Sequence, residues 1–172
     1  MGEYIAPELP DVYDAGIPRE HAEVPLWGCE DLYWEDFEIG YRIRTIRRTI
    51  TEGESATFNN LVVDIHPYVS DEVFAVREGL FKRRLVAGAF VFSAGIGLVA
   101  TNWLQAFSYG YDRLRFVKPV FIGDTIRVKK KVIELSPRDD NRGVIAYETT
   151  VVNQDDEPVI VYVDRVMVRR TG

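Results

Sequence analysis

Residues 85–100 read LVAGAFVFSAGIGLVA, and no charged residue occurs anywhere between positions 85 and 111. A helix that crosses a membrane needs roughly 18 or more consecutive apolar residues. This apolar run is shorter, and it continues into the polar residues Thr101, Asn102 and Gln105. We therefore predict a helix from about Gly88 to about Gln105 that is buried on all sides within a globular core, and no membrane span.

The region before this helix carries a strand pattern followed by a helix start. Polar and apolar side chains alternate in GYRIRTIRRTI at residues 40–50, which is typical of a partly exposed strand. Thr51 and Glu54 form a capping box that predicts a short helix, and Pro67 is expected to end that helix. We expect Phe58, Leu61 and Val62 on one face of the helix, and a further helical turn at Asp71 to Ala75.

The last third of the chain is a series of strand patterns joined by turns. The predicted strands are Tyr111 to Val117, Ile126 to Ile133, Val144 to Val152 and Val159 to Val168. The last two are almost continuous in apolar and β-branched residues, which indicates strands in the middle of a sheet. The order of elements predicts an α+β fold in which an antiparallel sheet wraps around the long apolar helix. A second subunit is expected to cover the rest of that helix, so we expect at least a dimer.

Composition and charge exclude several classes of protein. The net charge of -6 provides no broad positive field for nucleic acid or an anionic membrane surface. Cys29 is the single cysteine and His21 and His66 are the two histidines, too few ligands for a zinc site of this type, so we expect no metal. A single cysteine fits a reducing compartment, and residues 1–16 lack the pattern of a signal peptide. We expect a cytoplasmic protein.

The first part of the chain differs from the rest. Four prolines fall within residues 1–32, and no hydrophobic period persists there. We predict an irregular arm over residues 1–32. Residues 33–172 are predicted to form one domain, because a chain of 172 residues can build one compact core.

Three stretches resemble the MaoC-like family of (R)-specific enoyl-CoA hydratases and dehydratases, which have the hot-dog fold. They are YWEDFEIG at residues 33–40, RLRFVKPVFIGDT at residues 113–125 and NQDDEPV at residues 153–159. Their order and spacing match the family over about residues 33–170. The second and third stretches are most similar to hydratases of the itaconyl-CoA or mesaconyl-CoA type.

The resemblance implies addition of water to a 2-enoyl thioester, or its removal from a 3-hydroxyacyl thioester. In the family, an Asp and a His in the pattern Asp-x-x-Pro-x-His position and activate water. A backbone N–H at the start of the central helix, after a His-Gly pair, holds the thioester oxygen, since a helix N-terminus stabilises negative charge. Coenzyme A would enter as part of the substrate, and no other cofactor is implied.

Carried over residue by residue, this pattern is incomplete. Asp64 and Pro67 match the family pattern, but Val69 stands at the histidine position and cannot move a proton. Gly88 is retained, with Ala87 in place of the histidine before it. A serine found further along the family's helix corresponds to Ile96, with Ser93 one turn earlier.

Three residues are therefore candidates for catalysis, namely Asp64, His66 and Gly88. Asp64 lies among apolar residues, a setting that favours a general base or a water-holding group; the alternative is a carboxylate that caps the loop. His66 is the only histidine of the predicted domain and would replace the missing partner. Its alternative is a loop histidine with local hydrogen bonds.

Other polar and basic residues are candidates for substrate binding. Ser93 and Tyr68 are expected near the cleft, and several cations would meet the phosphates of coenzyme A. An exposed strand face and loop explain the same cations, which carry no phosphate-loop signature. The cations are Arg84, Arg113, Arg115 and Lys118.

Two functions follow from this pattern. The first is an enzyme, a hydro-lyase that acts on an acyl-CoA with Asp64 and Gly88. The second is a non-catalytic or accessory hot-dog subunit that binds an acyl thioester and pairs with a catalytic partner. For either function we expect a homodimer or a higher oligomer, or a heteromer with a catalytic hot-dog subunit. A thioesterase on a similar fold ranks last, because residues 113–125 are more similar to hydratases.

Overall fold

The computed structural model describes residues 32–99 and 105–171. Residues 1–31 of the predicted arm, and residues 100–104 at the end of the predicted helix, lie outside this description. The described elements begin with a 3-10 turn at Trp34–Asp36. They continue with β1 (Arg42–Arg44), β2 (Arg48–Thr49), α1 (Glu52–Val62), α2 (Pro67–Ser70), α3 (Glu72–Arg77), α4 (Gly88–Val99), β3 (Ala106–Phe116), β4 (Thr125–Pro137), β5 (Arg142–Val152) and β6 (Pro158–Arg169).

The strands form one antiparallel sheet in the order β1-β4-β5-β6-β3, and the short β2 also pairs with β4. The prediction that the last two strands lie inside the sheet is confirmed, since β5 and β6 each have a neighbour on both sides. Strand β3 begins five positions earlier than the predicted Tyr111 and has register shifts at Ser108/Gly110 and Asp112/Arg115.

Helix α4 lies against the inner face of the sheet, and this contact is the main core of the molecule. Val91 and Ala94 are buried together with Val128 and Val151 of the sheet. Gly95 permits the close approach, because a Cβ at that position would lie 3.1 Å from a methyl group of Val151. An antiparallel sheet curved around one apolar helix is the predicted hot-dog fold, which is confirmed. No helix among the described residues is long and apolar enough to cross a membrane.

The single strand predicted from Tyr41 to Arg48 is wrong in one respect, because the segment forms two strands. Between β1 and β2, Thr45 still pairs with β4, since its N–H donates to the carbonyl of Val128 at 2.9 Å. The Thr45 hydroxyl accepts from the Val128 N–H at 3.0 Å. A side-chain oxygen thus takes the place of a carbonyl, which interrupts the ladder and leaves Ile46 exposed.

Helix α1 begins as predicted and differs in its face and its end. Both halves of the capping box between Thr51 and Glu54 are present. The buried residues of α1 are Ser55 and Asn59, whereas Leu61 is 80% exposed, so the apolar face that carries Phe58, Leu61 and Val62 is not the buried face of the helix. The helix ends at Val62, before a left-handed residue, and Pro67 instead begins α2, where its missing N–H costs no hydrogen bond.

Candidate active site

A cavity of about 620 Å³ opens at the N-terminus of α4. Four segments form its wall, namely the loop before α4, the first turn of α4, the end of β3 with the chain that follows it, and β6. The lining side chains are almost all apolar, and Lys118 is the single charged residue among them. The lining residues are Phe81, Leu85, Val86, Gly88, Ala89, Val91, Phe116, Val117, Lys118, Pro119, Val120 and Ile160.

Backbone hydrogen bonds hold these segments together around the cavity. The N–H of Val86 donates to the carbonyl of Val120 at 2.8 Å, and Leu85 forms an isolated antiparallel bridge with Phe121. On the other side, the N–H of Val117 donates to the carbonyl of Val159 at 2.9 Å. These backbone contacts hold the segments that line the cavity against one another.

Gly88 and Ala89 are the first two residues of α4, and both line the cavity. The N–H groups at the start of a helix have no acceptor within the helix and point out of its positive end. A Cβ on Gly88 would lie 2.9 Å from the ring of Phe116, so glycine is what allows that ring to lie against the helix start. This end of the cavity is suited to an oxygen atom that gains negative charge.

Asp64 and His66 lie in the loop between α1 and α2, and neither residue lines the cavity. The Asp64 carboxylate accepts the N–H of His66 at 3.1 Å. Nδ1 of His66 accepts the N–H of Tyr68 at 3.3 Å and caps α2. Asp64 therefore bonds to the backbone of its own loop, and His66 forms only local hydrogen bonds, which are the non-catalytic alternatives named above. The catalytic roles of the two residues stay predictions.

Val69, at the position of the family histidine, is buried with 8% of its surface exposed. Tyr68 beside it connects the loop to the cavity. Its carbonyl accepts the N–H of Leu85 at 2.8 Å, and its ring contacts that of Phe81 with 6.2 Å between centroids. The hydroxyl of Tyr68 accepts the N–H of Leu80 at 3.1 Å. Tyr68 therefore supports one wall of the cavity from behind.

The predicted phosphate-binding cations are not brought together. Arg84 forms ion pairs with Glu52 and Glu72, and these hydrogen bonds raise the pKa of the Arg84 guanidinium. The guanidinium of Arg84 is already paired with two carboxylates, and these ion pairs join α1 to α3. Arg113 lies in the irregular part of β3 with a positive φ of 54°. The guanidinium of Arg115 donates to the carbonyl of Leu114 at 2.9 Å.

Lys118 is the one predicted cation at the cavity. Its ammonium lies 2.5 Å from the carboxylate of Glu157, and this contact lowers the pKa of Glu157. Ser93, one of the predicted binding residues, is exposed on α4 and donates to the carbonyl of Ala89 at 2.8 Å. Of the predicted site residues, Gly88 and Lys118 therefore meet at one cavity, whereas Ser93 lies further along α4.

The sequence reasoning missed the apolar wall, above all Phe81 and Phe116. Alternation along residues 113–118 indicates a strand, but it does not tell which face meets a helix N-terminus. Among the described residues, no group of three potential metal ligands is present. The site therefore offers an apolar chamber, a helix start and one lysine.

The chain matches known proteins over most of its length. Residues 36–155 match the MaoC-like domain family. A mesaconyl-CoA hydratase from Cereibacter sphaeroides is 34% identical over 143 residues, which are 80% of this chain and 41% of that protein. The curated relatives are longer than this chain, which spans between 29% and 41% of their length.

Solved structures agree with this match. A monoamine oxidase regulatory protein from Archaeoglobus fulgidus is 32% identical, with a TM-score of 0.76 over 83% of this chain and 97% of that one. An (R)-hydratase from A. caviae is 25% identical, with a TM-score of 0.66 over 77% of this chain and 97% of that one. From its sequence match and its fold, the chain belongs to the family of MaoC-like domains.

Proposed function

We propose that this chain is an acyl-CoA hydro-lyase, which adds water to a 2-enoyl thioester or removes it from a 3-hydroxyacyl thioester. The observation that carries the proposal is the opening of the α4 N-terminus onto an apolar cavity. The relatives named as hydratases support the reaction class. The mesaconyl-CoA hydratase is longer than this chain, so the substrate of this chain is part of the proposal.

The reaction places charge where this cavity can stabilise it. When the oxygen of water bonds to C3 of the enoyl group, the C2–C3 π electrons move toward the thioester carbonyl, whose oxygen becomes an enolate. The N–H of Gly88 is the proposed donor to that oxygen, and such donors commonly contribute a large part of the rate. The base takes one proton from the attacking water and delivers a proton to C2, which restores the carbonyl. The other proton of water stays on the new C3 hydroxyl.

Asp64 is the proposed base, assisted by His66 or by a water molecule. Its carboxylate is half-buried and next to the histidine backbone. His66 is exposed, and its Nδ1 is already an acceptor, which leaves Nε2 as the ring nitrogen able to exchange a proton. Closure of the loop over the bound thioester is needed to bring either group to the acyl chain, because neither lines the cavity.

The test measures hydration of 2-enoyl-CoA esters of increasing length by the full chain. The readout is the loss of absorbance of the enoyl thioester. We predict slow turnover that Asp64→Asn lowers by about 100-fold or more, the contribution expected of a general base. Asp71→Asn is the matched control, because Asp71 caps α3 from a similar loop and asparagine also caps helices. Equal rates for the chain and Asp64→Asn, with unchanged melting temperatures, would contradict the proposed base.

The second candidate function is an accessory subunit that binds acyl-CoA without converting it. Val69 favours it, because a buried valine replaces the group that would move a proton. Binding of saturated acyl-CoA without turnover of any enoyl-CoA would support this function. Val69→His should then create turnover in the purified chain, whereas Val69→Leu, which keeps the position apolar, should not.

A second subunit is part of either proposal. The outward side of α4 carries Ala89, Ser93 and Gly97, all exposed, at a spacing that places them on one stripe. Close packing of another hot-dog domain over these small residues would complete the cover of the central helix. The partner is proposed to be a second copy of this chain or a catalytic hot-dog subunit.

A further inference from the structure

A strongly basic groove lies on the outer face of the sheet, away from the proposed active site. Its cavity of about 580 Å³ is bounded by β1, β4 and β5. Five cations line it, two from the edge strand β1 and three from β4, against the single carboxylate of Glu148. Lys130 is buried and paired with Asp164. We call this site the outer basic groove, and its four unburied cations are Arg42, Arg44, Lys129 and Lys131.

Like charges face each other across the two strands of this groove. In the antiparallel register Arg42 is opposite Lys131, and Arg44 is opposite Lys129. Directly opposed residues have Cβ atoms about 5 Å apart, and like charges in such pairs are destabilising. Lys129 has a partner in Asp156 at 3.1 Å. No ion pair to another described residue neutralises the remaining three cations.

The anionic counterpart is present in the same chain. Residues 1–31 contain eight acidic residues and one arginine, whereas residues 32–172 contain nineteen acidic and twenty basic residues. The first 31 residues therefore carry a net charge of -7 and the rest of the chain a net charge of +1, which together give -6. The acidic positions are Glu3, Glu8, Asp11, Asp14, Glu20, Glu23, Glu30 and Asp31.

We propose that residues 1–31 bind in the outer basic groove of their own chain and neutralise the opposed cations of β1 and β4. Leu32 lies ten positions before Arg42, and an extended chain spans about 3.3 Å per residue, so the six acidic residues at positions 3–23 have a reach of roughly 30 Å or more from Leu32. Tethering compensates for weak individual ion pairs, since a short linker raises the effective concentration to about the millimolar range.

The experiment measures how fast lysine side chains of the full chain are acylated, with the modified positions quantified by mass spectrometry. One variant neutralises the segment next to the domain and leaves the domain unchanged. Its substitutions are Glu20→Gln, Glu23→Gln, Glu30→Gln and Asp31→Asn. A second variant neutralises the other four positions, with Glu3→Gln, Glu8→Gln, Asp11→Asn and Asp14→Asn.

In dilute salt we expect Lys131 to react several-fold more slowly in the full chain than in at least one neutralised variant. Lys82, which lies in the loop before α4, is the reference lysine and should react equally in all three proteins. The difference at Lys131 should disappear in about 1 M salt, where the screening length falls to about 3 Å.

Three results would overturn the proposal. The first is a Lys131 that reacts no more slowly in the original chain than in either variant. The second is protection of Lys131 that rises with protein concentration, which would assign the acidic segment to a second copy. The third is a Lys131 that reacts fast in all three proteins and becomes slow only after addition of coenzyme A, which would assign the groove to a phosphorylated ligand.

Discussion

The side chain of Glu54, in the first turn of α1, stabilises the start of that helix. Its carboxylate accepts the N–H of Thr51 at 3.0 Å and the Thr51 hydroxyl at 2.8 Å, and it pairs with Arg48. The Thr51 N–H, then the Arg48 and Thr51 side chains, lower the pKa of Glu54 from 4.5 to about 2. Because this folded-state pKa lies below the unfolded value, the stability from Glu54 is present above about pH 4.5 and is lost toward pH 2.

We predict that Glu54→Gln lowers the free energy of unfolding by about 1 kcal/mol near neutral pH, as the loss of other helix caps does. The difference from the original chain should shrink at about pH 3, where the unfolded carboxyl is protonated. Urea unfolding at both pH values measures this. Glu38→Gln, at an exposed residue with no ion pair in the described part of the chain, is the control. An equal difference at both pH values would contradict the assigned role.

At the scale of elements, the 3-10 turn at Trp34–Asp36 closes one end of the sheet by packing on β5. A Cβ on Gly143 would lie 2.4 Å from Cδ1 and Nε1 of Trp34, so the indole occupies the space that a side chain would take. Arg170 covers the other side of the indole, with 5.0 Å between its guanidinium and the ring. Glycine at position 143 is therefore required by this contact between a turn and a strand.

We predict that Gly143→Ala lowers the free energy of unfolding by about 1–3 kcal/mol, because the indole must shift. Gly110→Ala in β3 is the matched control, since nothing lies within 4 Å of its Cβ position. Adding Trp34→Ala to Gly143→Ala should cost less than the sum of the two single changes, because both remove the same contact. Additive changes in a urea titration would exclude this coupling.

At the scale of the whole molecule, a buried ion pair lies between the two apolar clusters of the core. Lys130 lies between Val128 of the cluster under α4 and Val132 of the cluster under residues 32–37. Its ammonium is 2.5 Å from Asp164 and 3.9 Å above the ring of Tyr147. Burial lowers the pKa of Lys130, and the Asp164 carboxylate opposes that shift. The pair joins β4 to β6 across the central strand.

We predict that Lys130→Met destabilises the fold by about 3–5 kcal/mol, because it leaves a buried carboxylate without its cation. Lys130→Met combined with Asp164→Leu should recover most of that loss, since an apolar pair removes the desolvated charge. Urea unfolding of both variants measures the difference. A double variant no more stable than Lys130→Met would show that the ion pair is not the source of the effect.

Much of the architecture could be predicted from the pattern of apolar and capping residues in the sequence. The apolar run at residues 85–100, the capping box and the strand runs indicated α4, the start of α1 and the strands β3 to β6, because burial and capping are local properties of side chains. The end of α1 did not follow, because it depends on a left-handed Val63 that no local rule favours. The buried face of α1 did not follow either, because it consists of the polar residues Ser55 and Asn59. On the apolar face, Phe58 stacks on Phe90 of α4 at 5.1 Å, whereas Leu61 is exposed.

The sequence by itself determined the class of the molecule, namely a sheet around one apolar helix, and the glycine at the start of that helix. Hydrophobic periodicity predicts this class, because it indicates which residues are buried away from water. Only the tertiary structure decided which residues share a cavity. Lys118 and Phe116 meet Gly88 there while Asp64 and His66 remain in their own loop, because the meeting of distant segments depends on backbone pairing between them.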